Sequence, residues 1–167
     1  MFRFLLACSF VLSLAAADFE QPRVEAGLLV GGLKEGIFGE YPVLAGGRVS
    51  VHTFWLLDAE AEVNRFPIGG AAANYPATQA LFGARVGRRI GPFGLYGKLR
   101  PGFVRFDRNL YDPKLGTQAA LDAGGILELY SSRHAAGRFD LGDTMVWYGG
   151  AGARHQLQWS VGLSLWF

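Results

Sequence analysis

Cysteine is almost missing from this chain of 167 residues, and the one present, Cys8, sits in an apolar N-terminal stretch. Past that stretch there can be no disulfide framework, no thiolate metal site and no cysteine nucleophile. Long hydrophobic runs are missing too. Half of the residues are hydrophobic, yet after the N-terminal stretch no apolar run nears the ~18 residues of a membrane-crossing helix. A helical crossing is therefore excluded. An excess of one charge is also lacking, since 16 Lys and Arg stand against 14 Asp and Glu. With Arg88-Arg89 as the one basic pair, explained by a solvated turn, nucleic acid is not expected as the main partner. The three histidines, His52, His134 and His155, are dispersed without metal-ligand spacing. No metal or cofactor is expected.

What is present begins with an address. Arg3 supplies a positive start, Phe4 to Leu14 is apolar apart from Ser9 and Ser13, and Ala15-Ala16-Ala17 forms a small-residue cleavage site before Asp18. Residues 1–17 read as a cleavable export signal, leaving residues 18–167 as a single domain. The stretch is too short for a membrane anchor, which needs about 20 residues. A lipoprotein reading of Leu5-Leu6-Ala7-Cys8 would leave almost no signal before the cysteine. All 24 glycines follow the signal, about twice the usual ~7%, which suits short strands, tight turns and close packing.

The C-terminal segment His155 to Phe167 alternates with a period of two, the pattern of a strand. Leu157, Trp159, Val161, Leu163, Leu165 and Phe167 share one face, and Gln156, Gln158, Ser160, Gly162, Ser164 and Trp166 the other. Seven further segments behave similarly: Val24 to Leu33, Ala45 to Phe54, Leu57 to Phe66, Thr78 to Arg88, Gly94 to Phe106, Thr117 to Tyr130 and Ala135 to Val146. The third is two-faced, with Leu57, Ala59, Ala61 and Val63 opposite Asp58, Glu60, Glu62 and Asn64. In the second, Arg48, Ser50, His52 and Phe54 oppose Val49, Val51 and Thr53. Pro101 is the weak point of the fifth, because proline cannot donate to a ladder and a closed barrel has no edge. It predicts a bulge there or a misplaced strand. Links alternate between short, near His52 to Trp55, Arg89 to Phe93 and Ser131 to His134, and mostly longer, at Lys34 to Leu44, Pro67 to Ala77, Asp107 to Gly116 and Tyr148 to Arg154. Short turns on one side and long loops on the other follow the rule of transmembrane barrels. Only a closed barrel pairs every backbone group inside a bilayer without a helix. The fold expected is an all-β, eight-stranded, antiparallel up-and-down transmembrane barrel.

This whole-length pattern and its terminal strand resemble the small OmpA-like or OmpX-like bacterial outer-membrane β-barrel family. The resemblance implies a cell outer-membrane location, with both termini periplasmic and the longer loops extracellular. It implies that Trp159, Val161, Leu163, Leu165 and the terminal Phe167 form the signal recognised by the barrel-assembly machinery. It also places outer-membrane lipid and lipopolysaccharide around the barrel. Arg65 and Arg105, on the outer face near the extracellular ends, are candidate contacts for lipopolysaccharide phosphate, which a guanidinium binds bidentately. Such side chains also simply snorkel to water.

By parity the interior collects the acids Glu25, Asp58, Glu60, Glu62, Asp122, Glu128 and Asp140 with the bases Arg48, Arg85, Lys98, Arg100 and Arg138. An eight-stranded barrel is just wide enough to be filled by side chains, so these charges are expected to pair as a plug. Arg48 should face Glu60 or Glu62 across the hairpin. The alternative is a narrow ion or solute path, that is, a small porin or channel. Catalysis is not expected. Ser50, His52 and Asp58 have the residue types of a hydrolase triad, but a packed interior offers no substrate space. Lipid A deacylases share the barrel, yet His134 lacks their His-x-Ser arrangement. The spacing of Gly83, Gly87 and Gly91 resembles a helix-packing motif, but Arg85, Arg88 and Arg89 interrupt any apolar helix. The role expected is structural, in envelope integrity or in surface interaction through the loops, by a monomer.

Overall fold

The structure is a computed structural model that describes residues 24–35, 42–68, 76–107, 116–132, 134–148 and 152–167. The export signal lies outside the described residues, as does most of each longer loop. Eight strands run in chain order: β1 (Val24–Glu35), β2 (Val43–Phe54), β3 (Leu57–Ile68), β4 (Ala77–Ile90), β5 (Phe93–Phe106), β6 (Thr117–Tyr130), β7 (Ala135–Trp147) and β8 (Ala153–Trp166). Each pairs antiparallel with its sequence neighbours, and β8 returns to β1 to close the barrel. The strands extend the sequence-derived segments mostly by one or two residues, chiefly at the ends next to the longer loops.

Followed once around the barrel, the register that starts at Glu25 returns to β1 at Glu35, ten residues further along. With a rise of ~3.3 Å per residue and ~4.8 Å between strands, this stagger tilts the strands by about 40°. Strands of 12 to 14 residues then reach about 30–35 Å along the axis, more than the ~25 Å apolar band of such barrels.

Alternation decides which residues face out. At mid-height Leu28, Val49, Ala61, Ala84, Leu99, Gly125, Phe139 and Val161 form an outward ring containing no charge. Leu163, in the same belt, is 71% exposed. Among the described residues, outward charges lie toward the two rims: Lys34, Arg65, Arg105, Asp143 and His155 on the loop side, and Arg88 on the turn side. Exposed apolar surface on this scale is unfavourable in water and favourable in lipid.

Two expectations are corrected. Pro101 lies within β5 with neither a bulge nor a misplaced strand. Leu81 pairs with Gly102 and Ala84 with Leu99 in one constant register, and the pairing lapses only in between, opposite Pro101 and Arg100. The proline is accommodated by omitting pairs, while β6 holds it from the other side through Leu121. Phe54 does not share the face of Arg48, Ser50 and His52. The register shifts between His52 and Phe54, which turns the ring outward.

Candidate functional site

The lumen is the concave surface that the strands create, and side chains fill it in layers. At the turn end lie Tyr96, Tyr130 and Trp166. The Trp166 ring stacks on Tyr130 at 5.0 Å between centroids, and the Tyr96 and Tyr130 hydroxyls are 2.9 Å apart. The Arg89 guanidinium covers Tyr130 at 4.0 Å. Above this aromatic floor sit the charges.

All seven acids and five bases assigned to the interior from the sequence are buried. Three arginines organise them. Arg85 reaches Asp58 through Nε at 2.7 Å, Glu128 through Nη1 at 2.6 Å and Glu25 through Nη2 at 2.5 Å. Arg138 donates to Glu60 at 2.6 and 2.9 Å and to Asp140 at 2.8 and 3.0 Å. Arg100 donates to Asp122 at 2.9 and 2.6 Å, and its Nη1 lies 2.7 Å from both Glu60 and Glu62. Lys98 adds contacts to Asp122 at 3.0 Å and Asp140 at 3.4 Å. Buried charges are tolerable only when paired in this way.

Arg48 faces Glu62 across the hairpin as expected, but its hydrogen bond goes elsewhere. Arg48 stands opposite Glu62 in the ladder, but its Nη1 is 4.0 Å from Glu62 and only 2.8 Å from Asp140, on β7. Closure of the barrel brings β7 across the lumen, and the other carboxylate of the hairpin, Glu60, is held by Arg100 and Arg138. Arg48 Nε and Nη2 make no hydrogen bond among the described residues. Their side of the guanidinium faces Gly27 and Gly162, where a β-carbon would come within 3.2 and 3.1 Å of it.

Next comes a neutral layer. Asn64 donates to Glu62 at 2.7 Å and to Gln79 at 2.9 Å, Gln79 donates to Gln158 at 3.1 Å, and Thr144 donates to Gln158 at 3.0 Å. The loop end is mostly apolar, with the buried amides of Gln118 and Gln156 set among it. Leu33, Leu44, Phe66, Ala77, Leu81, Val104, Ala120 and Val146 are buried together, with Phe106 and Tyr148 packed against them. This cap was legible as parity, because all of these strand residues fall on inward positions, but charge drew attention away from it.

Ser50, His52 and Asp58 do not come together as a relay. His52 Nδ1 lies 2.7 Å from Asp58, whereas the buried Ser50 hydroxyl donates to Glu60 at 2.9 Å. Ser50 is committed to a carboxylate and not to the imidazole. His134 and His155 lie elsewhere, the latter with Nδ1 2.5 Å from Asp143 on the outer face. Arg65 and Arg105 both point outward near the loop rim. Arg65 donates to Thr78 at 2.7 Å and is hydrogen-bonded to Asp107, whose carboxyl it holds below the ordinary carboxylate range. In the assembly stretch Trp159, Val161, Leu163, Leu165 and Phe167 are all exposed on the outer face.

The sequence matches no protein-family model and no curated protein. Solved structures share the fold. Neisserial surface protein A is 10% identical with a TM-score of 0.62, over 86% of this chain and 96% of that one. The N-terminal β-barrel domain of OprF from Pseudomonas aeruginosa is 12% identical with a TM-score of 0.56, over 88% and 100%. The outer-membrane protein OprG from Pseudomonas aeruginosa is 12% identical with a TM-score of 0.53, over 90% and 99%. The fold is that of a transmembrane β-barrel. More particularly, it is the small eight-stranded barrel seen in these bacterial proteins.

Proposed function

We propose that this protein is an integral outer-membrane barrel with a non-enzymatic role, in envelope integrity or in surface interaction through its longer loops. The observation that carries this reading is the filled lumen. An aromatic floor, a charge-paired middle, an amide layer and an apolar cap succeed one another, so the charges serve cohesion and not transport. A lumen built to conduct would keep polar groups continuous from mouth to mouth, as ion-selective pores do. The uncharged outer ring supports the membrane location, and the exposed alternation from Trp159 to Phe167 supports recognition by the barrel-assembly machinery. Arg105 is the better placed of the two rim arginines for lipopolysaccharide phosphate, because Arg65 is already held by Asp107.

Single-channel recording of the refolded mature protein in planar bilayers tests the reading. Silence, or rare brief events, is expected. Steady openings would establish the small-porin alternative instead.

A further inference from the structure

Over the described residues, the charges of the lumen are unequal. Seven buried carboxylates face five buried bases, and Arg89, whose guanidinium covers Tyr130 at the floor, is a sixth. The inequality has a place. Toward the loop end Glu60, Glu62, Asp122 and Asp140 are matched by Arg48, Lys98, Arg100 and Arg138, four against four. Toward the turn end Glu25, Asp58 and Glu128 all converge on Arg85, through bonds of 2.5, 2.7 and 2.6 Å. Arg89 joins this group through Tyr130, whose hydroxyl donates to Glu128 at 2.6 Å. Arg138, 3.8 Å from Glu25 and from Glu128, is committed to Glu60 and Asp140. Three carboxylates and two cations leave the turn end one positive charge short.

His52 stands at that spot. Its Nδ1 is 2.7 Å from Oδ1 of Asp58, while the other oxygen of the same carboxylate accepts from Arg85. A neutral imidazole makes this bond through an Nδ1–H, but only an imidazolium also supplies the missing charge. The His52 side chain is 26% exposed where that of Asp58 is 5%, so a proton reaches it from solvent at the turn end without entering the plug. The charged and titratable groups that face the same end of the lumen are Glu25 on β1, Asp58 on β3, Arg85 and Arg89 on β4, Tyr96 on β5, and Glu128 with Tyr130 on β6. The ladder is also interrupted here, because its register shifts between His52 and Phe54. A side-chain link thus secures the end of β2 where main-chain pairing lapses.

We propose that His52 is a proton-binding site that latches the turn end of the lumen. Protonated, it ties β2 to the Asp58–Arg85 group and brings seven cations to the seven carboxylates. Deprotonated, it leaves Glu25, Asp58 and Glu128 with one charge uncompensated in a confined space, which is strongly unfavourable for a buried group. The floor of Tyr96, Tyr130 and Trp166 is bound to the same Glu128 through Tyr130, so it loosens when the proton leaves. One mouth of the barrel thereby carries a pH-sensitive closure. The latch draws on the lumen contacts alone, and conductance, which tests the proposed role, does not decide it.

The test uses the mature protein refolded into phosphatidylcholine vesicles, with His134→Gln and His155→Gln so that His52 is the sole histidine. Its urea midpoint is followed from about pH 5.5 to about pH 8.5, across the imidazole range, beside that of the same protein carrying His52→Gln. Glutamine keeps an amide donor for Asp58 but takes no charge. The proton stabilises, so resistance should be highest at the acid end and fall as pH rises through the imidazole range. His52→Gln should lack that fall, and parallel curves for the two proteins overturn the latch. Asp58→Asn with His52 kept should flatten the curve as well, because the turn end then holds two carboxylates and two cations. A pH response undiminished in that variant also overturns it. A readout that leaves the network intact keeps Trp166 as the only tryptophan, the others being replaced by Phe. Its quenching by aqueous acrylamide should increase from the acid to the alkaline end as the floor loosens. Constant quenching refutes the latch, and it does so even if His52→Gln fails to fold.

Discussion

Replacing Arg100 by Met should be among the most damaging single changes in this barrel, and the structure ranks what would repair it. The substitution keeps an unbranched side chain of similar length but removes every hydrogen bond that the guanidinium makes to Glu60, Glu62 and Asp122. Breaking a buried ion network by deleting one partner costs about 3–5 kcal/mol. The three carboxylates are not orphaned equally. Glu60 retains Arg138 and the Ser50 hydroxyl, and Asp122 retains Lys98 at 3.0 Å. Among the described residues Glu62 keeps Asn64 at 2.7 Å and the Arg48 guanidinium at 4.0 Å. Adding Glu62→Gln to Arg100→Met should therefore recover the most, a coupling of about 1–3 kcal/mol, and Asp122→Asn should recover less. The assay is equilibrium unfolding in urea or guanidinium of the protein refolded in vesicles, followed by tryptophan fluorescence and by gel mobility of unheated samples. Additive effects for Arg100 with Glu62, or better rescue by Asp122→Asn, would refute the described network.

Arg48 and Asp140 should couple more strongly in such a cycle than Arg48 and Glu60, because Asp140 is the carboxylate that Arg48 touches; the reverse order would restore the simple hairpin pairing. Leu163→Arg places a charge on the outer belt and should cost up to about 2–4 kcal/mol near mid-bilayer, measured by unfolding in vesicles, whereas Arg65→Leu at the rim should change little. Phe167→Ser should leave export intact and reduce the folded protein that accumulates in the outer membrane; normal accumulation of heat-modifiable protein would count against the assembly signal. Trp166→Ala removes the ring that stacks on Tyr130 and should loosen the turn-end floor, read as faster exchange of buried amides near Glu128 with no steady conductance while the apolar cap persists.

The alternation of apolar and polar residues was sufficient to predict the number of strands, their faces apart from Phe54, and the closed barrel. The reason is physical: a bilayer leaves a non-helical chain one way to pair its backbone, and period-two alternation then assigns each side chain to lipid or lumen. Glu60, Glu62 and Asp122 could be placed inside for that reason alone. Partner choice could not be read in the same way. Arg48 and Asp140 are 92 residues apart and meet only because the stagger and closure of the barrel carry β7 to the opposite wall. The same holds for Trp166 on Tyr130. Pro101 and Phe54 show the remaining limit, since whether a ladder omits pairs or shifts its register depends on the strands at either side. Local chemistry thus determined which residues face inward, and the tertiary closure decided which of them touch.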